Sequence, residues 1–144
     1  MTDTMTVQAD ACSEFPSSVI SLQSKYDFVT TVSRLKDALS ARDVTLFAEI
    51  DQSAAAAQAG MTLRPTKLFL FGNPKAGTPV MNANPHAALE LPLKAVVWED
   101  DQKNVYVDYQ DVTATLERDY KIDAQRIAPL KQTPVMLRAV AGHD

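Results

Sequence analysis

A single cysteine, no surplus of basic charge and no long apolar run set the first limits on this sequence of 144 residues. One cysteine forms no intrachain disulfide and builds no cysteine-rich zinc site. With 14 Lys and Arg against 18 Asp and Glu, the formal charge is −4 at pH 7, which leaves no broad basic footprint for nucleic acid or anionic lipid. No apolar stretch approaches the roughly 18 residues that span a membrane. Met1–Asp10 carries Asp3 and Asp10, lacks an early Lys or Arg and has no apolar centre, so it has none of the marks of a secretory leader. A cytoplasmic protein with no nucleic-acid or membrane partner is the expectation. Cys12 stands between Asp10 and Glu14, whose negative charge disfavours a thiolate, so it reads as an incidental thiol.

What is present is ordinary globular material, 46% apolar and 22% charged. The length suits one domain, and a chain of this size buries about 68–70% of its unfolded surface without staples. Residues 1–17 read as a flexible tail and residues 18–144 as a single domain. Val19–Leu22 is a strand pattern. Phe28, Val32, Leu35 and Leu39 then recur at helical spacing, with Asp27 as the N-cap. Val44–Ile50 reads as a strand, and Asp51 opens an alanine-rich helix, Gln52–Ala59, that Gly60 ends in a left-handed conformation. Lys67–Phe71 is an apolar strand. Gly72–Thr78 reads as a turn-rich loop, with Thr78 capping a helix that starts at Pro79. Leu93–Glu99 and Val105–Tyr109 form an antiparallel hairpin inside a sheet. Helices follow over Val112–Arg118 and Asp123–Leu130, and a last one is capped by Thr133, started by Pro134 and closed by Gly142. This order indicates an α+β fold, a mainly antiparallel curved sheet with helices packed on one side.

The stretch Phe71-Gly72-Asn73-Pro74, then Gly77-Thr78-Pro79-Val80-Met81, Leu91-Pro92-Leu93-Lys94 and Val97-Trp98-Glu99-Asp100 resembles the family called domain of unknown function 302. Phe47-Ala48-Glu49-Ile50-Asp51 with its alanine run, and Met61-Thr62-Leu63-Arg64-Pro65-Thr66, agree in order. The resemblance covers roughly Tyr26 to Tyr109. It implies a TBP-like fold with a core of strand, helix, four antiparallel strands and helix, in small bacterial or archaeal proteins with no agreed activity. Many relatives carry Asp-His where this chain has Asp51-Gln52, and Gln neither titrates nor binds zinc well.

Gly72, four residues and Gly77 imitate a phosphate loop, but Thr78 stands where the signature lysine belongs, and Pro74 and Pro79 remove two amide donors. A smaller pocket for an anion is the expectation there, built from Asn73, Lys75 and the amides of Gly77 and Thr78 at a helix start. Lys94 shares a strand face with Val96 and Trp98 and supplies a positive charge, so Lys94 and Trp98 complete the candidate ligand site. His86 and His143 lack metal spacing, and His143 falls at a fraying terminus. Glu99-Asp100-Asp101 reads as a solvated hairpin tip, and Gly-x-Ser-x-Gly is absent. No cofactor and no metal are expected. The leading reading is a non-enzymatic module for a small anionic molecule. The alternatives are a homodimeric assembly protein and an acid–base enzyme using Asp51 or Glu99.

Overall fold

The computed structural model describes residues 18–144; the expected N-terminal tail, with Cys12, lies outside them. Five strands, β1 (Val19–Gln23), β2 (Thr45–Asp51), β3 (Thr66–Gly72), β4 (Leu93–Glu99) and β5 (Val105–Gln110), form one sheet in the order β1-β5-β4-β3-β2. Every pairing is antiparallel. The β4–β5 hairpin is therefore interior, with Val97 and Val107 fully buried opposite each other. Helices α1 (Phe28–Ala41), α2 (Gln52–Gln58), α3 (Pro74–Ala83), α4 (Val112–Tyr120), α5 (Ala124–Ile127) and α6 (Gln132–Val140) complete the fold, with 3-10 turns at Pro85–Leu89 and Ala128–Lys131. The four later strands are not consecutive, because α2 and α3 are inserted among them.

Local chemistry accounts for these boundaries. Asp27 and Asp51 cap α1 and α2, accepting from the amides of Thr30 at 2.8 Å and Ala54 at 2.9 Å. Gly60 follows α2 at φ +79°. Gly142 follows α6 at φ +90°, and a β-carbon there would stand 3.1 Å from Tyr26 and Lys25, so any side chain at this position would be strained.

Two expected helix starts need correction. Asn73, not Thr78, caps α3, its Oδ1 accepting from the Lys75 amide at 2.9 Å, and Pro74 is the first helical residue. Pro79 lies inside α3, on an exposed side, where the missing bond leaves the exposed Lys75 with a carbonyl open to water. Likewise α6 begins at Gln132, running straight on from the 3-10 turn, and Thr133 makes no capping bond. His143 is also not frayed, because its Nε2 donates to the Gln23 carbonyl at 2.6 Å.

Two apolar clusters stabilise the molecule. The larger packs Leu35 and Leu39 of α1 and Leu137 and Val140 of α6 onto Phe69, Phe71, Val97 and Val107 of the sheet. Each large side chain sealed in this way contributes about 1.5–3 kcal/mol. The smaller gathers Val80 of α3, Leu116 of α4, Ile127 and Leu130 at one end of the sheet. Leu93, at the start of β4, packs against both clusters.

Candidate functional site

Where the two clusters meet, the chain leaves a cleft of about 230 Å³. One wall is the first half of α3, with Asn73, Gly77, Thr78 and Met81; the other is Leu91-Pro92-Leu93, whose Leu91–Pro92 bond is cis. Phe47 stands at the mouth, 55% exposed, beside the end of β3 at Gly72. Apart from Asn73 and Thr78, the lining side chains are apolar. Phe47 reaches the cleft because β2 has an irregular register between Leu46 and Ala48, which takes Phe47 out of the regular pairing with β3.

The backbone amides at the start of α3 are already bonded. The Gly77 amide donates to the Asn73 carbonyl at 2.9 Å, and Asn73 Oδ1 is taken by the Lys75 amide at 2.9 Å. Gly77 and Thr78 are interior helical residues, not the start of a helix, so the expected pair of anion-binding amides does not point at a ligand.

Asn73, Gly77 and Thr78 share the cleft, but Lys75 does not line it. Lys94 and Trp98 sit instead on β4 among the residues that face away from the buried Ala95 and Val97. There Lys94 borders a shallow depression of about 270 Å³ with Val19, Leu68, Val96 and Asp108. The Trp98 indole stacks on Tyr106 at 4.7 Å and donates to Asp108 Oδ2 at 2.9 Å. Sequence reading missed Phe47, Met81, Leu91 and Pro92 as a wall. The alternation of β4 does place Lys94 with Val96 and Trp98.

Of the carboxylates considered for acid–base work, Asp51 is engaged in hydrogen bonds and Glu99 has only a long contact to a lysine. Asp51 receives the Ala54 amide and the Ser53 hydroxyl at 2.8 Å, and these bonds hold its carboxyl below the usual carboxylate range. Glu99 lies 3.8 Å from Lys103 Nζ. Asp100 organises the hairpin turn by accepting from the amides of Gln102 and Asn104, both at 2.9 Å. Among the described residues no group of three or more His, Cys, Asp or Glu could hold a metal ion. No described helix is long and apolar enough to cross a membrane.

Known proteins match this chain in three ways. Residues 20–140 match the family model described as Domain of unknown function DUF302. A protein named Fluoride-specific ion channel FluC 1 from Brucella suis biovar 1 (strain 1330) is 32% identical over 95 residues, which cover 66% of this chain and 37% of that protein. The protein of the same name from Brucella abortus biovar 1 (strain 9-941) is also 32% identical over 95 residues, 66% of this chain and 35% of its own length. The chain thus spans little more than a third of the length of these curated relatives. The crystal structure of an uncharacterized conserved DUF302 protein from Bacillus stearothermophilus superposes with a TM-score of 0.73 at 16% identity, covering 88% of this chain and 98% of that one, a likeness of fold. With the family model spanning residues 20–140 and the strand and helix framework agreeing with it, the chain belongs to the DUF302 family.

Proposed function

We propose that this chain is a non-enzymatic binding module that takes a compact, largely apolar molecule in the cleft between Phe47, α3 and Leu91-Pro92. Gly77 carries the reading. It lies in the interior of α3 without a positive φ, so backbone geometry does not demand glycine. A β-carbon there would lie 3.6 Å from Leu91 Cδ1 and 3.8 Å from Met81 Cε, ordinary contact distances. Alanine would fit and would favour the helix by about 1 kcal/mol. What alanine would remove is open volume between Leu91 and Met81, so the glycine keeps the cleft open.

Size and lining define the ligand class. An enclosed apolar cavity of about 150 Å³ accommodates benzene, so a cleft of about 230 Å³ suits one ring with a short substituent or a short aliphatic chain. The amides of Lys75 and Gly77 are internally bonded and among the described residues no cation lines the cleft, so affinity comes mainly from apolar burial, with Asn73 and Thr78 left to orient a polar group of the ligand. The curated relatives support a module that is combined with other units. Their matched third would serve as an accessory binding domain, with the channel activity in their names belonging to the rest of the chain.

Fluorine NMR with para-fluorophenol as the probe tests the reading. Its line should broaden on titration with the full chain, and Gly77→Leu should weaken the binding at least ~tenfold by filling the cleft. Lys94→Met should leave it unchanged. No broadening, or broadening indifferent to Gly77→Leu, overturns the proposal.

A further inference from the structure

A second cavity, of about 310 Å³, adjoins the Gly77 cleft and shares with it the wall of Gly72, Asn73, Leu93 and Leu130. It lies where the end of α1, the approach to β2 and the first turns of α3 and α6 meet over the end of β3. Its floor is apolar. Phe71 and Met136, both buried, line it together with the half-buried Val44 and Leu93. An enclosed apolar cavity of about 150 Å³ accommodates benzene, so this one has room for a ring and a polar substituent.

The rim is polar, with Asn73, Gln132 and Thr133, and among the described residues that line the cavity Arg42 alone is charged. Arg42 closes α1 and is exposed. Its Nη1 approaches the Ala38 carbonyl at 3.4 Å, the outer limit of a hydrogen bond, and it forms no ion pair among the described residues. A guanidinium carries five N–H donors, so most of this one's capacity is unspent there. Other arginines at helix ends are engaged: Arg34 by two carbonyls, Arg118 by Asp119 and Arg126 by Asp123.

The local field has the same sign. Asn73 and Ala76 belong to the start of α3, and Gln132 and Thr133 to the start of α6, so the positive ends of two helix dipoles border the cavity. The Lys75 and Ala76 amides are already bonded to Asn73. The helices therefore supply potential, and Arg42 supplies the donors.

We propose that this cavity is a second binding site, for a small carboxylic acid with an apolar body. The ring or chain rests on Val44, Phe71 and Met136, and the carboxylate takes two parallel N–H groups of Arg42, the geometry in which a guanidinium matches a carboxylate. The two cavities then select by charge. Among the described residues no cation lines the Gly77 cleft, so a neutral apolar molecule suits that cleft and an anion suits this one. The site goes beyond the reading of the cleft and does not depend on it.

Fluorine NMR of the full chain with 4-fluorobenzoate as the probe tests the assignment. The line should broaden on titration, and 4-fluorobenzamide, of similar shape but uncharged, should bind at least ~tenfold more weakly. Arg42→Gln should weaken benzoate binding at least ~tenfold, and Arg42→Lys, which keeps the charge and loses the fork, should recover part of it. Arg42 is exposed, so both variants should fold, which thermal melts check. Gly77→Leu should leave benzoate binding unchanged while weakening that of para-fluorophenol, so the two sites fail separately. No broadening, equal binding of the amide, or indifference to Arg42→Gln overturns the proposal. So does benzoate binding that is lost in Gly77→Leu, which would place the acid in the cleft.

Discussion

The Glu49 carboxylate accepts from Lys67 Nζ at 2.9 Å across the β2–β3 ladder, and its other oxygen lies 2.7 Å from Lys36 Nζ on α1. The edge strand β2 is thereby tied both to its neighbour and to the covering helix. The hydrogen bond to Lys36, then that to Lys67, holds the Glu49 carboxyl below the usual range, with partial burial opposing them. A carboxyl whose pKa is lower folded than unfolded stabilises the fold above the unfolded value, and this contribution is lost as pH falls through the folded value. Glu49→Gln should therefore cost about 1 kcal/mol at pH 7. The gap to wild type should close as the pH drops from about 4.3. Urea denaturation at neutral and acid pH measures it, and a gap that widened in acid would contradict the assignment.

A second prediction concerns the buried pair Ser24 and Thr31. Their hydroxyl oxygens are 2.7 Å apart, and Thr31 also donates to the Asp27 carbonyl at 2.8 Å. Thr31→Val keeps the shape and removes the acceptor of the Ser24 hydroxyl, so it should destabilise by about 1–3 kcal/mol. Pairing it with Ser24→Ala should cost less than the sum of the two, because the orphaned donor is then gone. Additive losses in denaturant titrations would show that the pair is not coupled.

Arg34 holds the end of α6. Its guanidinium donates to the carbonyls of Val140 at 3.0 Å and Ala139 at 2.9 Å, and it lies 4.2 Å from the centre of the Tyr26 ring. The Ala139 carbonyl also accepts from the Gly142 amide at 3.0 Å, so Arg34 adds a second donor there and satisfies Val140 at a terminus whose last carbonyls lack intrahelical partners. Arg34→Lys keeps the charge but not the fork, and it should still cost about 1.5–3 kcal/mol. The amides of Ala141, Gly142 and His143 should exchange faster in hydrogen-exchange measurements. Unchanged protection there would mean that α6 ends independently of Arg34.

Gly77→Ala is the fourth test, and it separates stability from binding. The substitution should raise stability by about 1 kcal/mol through helix propensity while reducing the broadening of para-fluorophenol. A more stable variant that binds the probe equally well would leave Gly77 with no role in the cleft.

Much of the frame was legible because its signals are local. Phe28, Val32, Leu35 and Leu39 mark the buried stripe of α1, and Asp27 and Asp51 stand where caps belong. The alternation of β4 separates Lys94 from Ala95 within the strand itself. The start of α3 was not legible in this way, because Asn73-Pro74 and Thr78-Pro79 offer the same cap-and-proline signal five residues apart. The bond from Asn73 Oδ1 to the Lys75 amide decides between them. The cleft was hidden for another reason. Phe47, Met81, Leu91 and Leu130 come from separate parts of the chain, and the irregular register that turns Phe47 outward leaves no mark in the spacing of apolar residues.

Leu93 gives the molecule a mechanical division. Among the described residues it packs against both apolar clusters, and it also lines the cleft between them. Leu93 therefore couples the cluster under α3, α4 and α5 to the cluster under α1 and α6. A corner with its own small cluster should open at a lower free energy than the whole protein, which hydrogen exchange of its amides would measure. A guest between Phe47 and Met81 would act as a wedge or a clasp on that joint, so occupancy of the cleft and the population of the open corner are one linked equilibrium viewed from two sides.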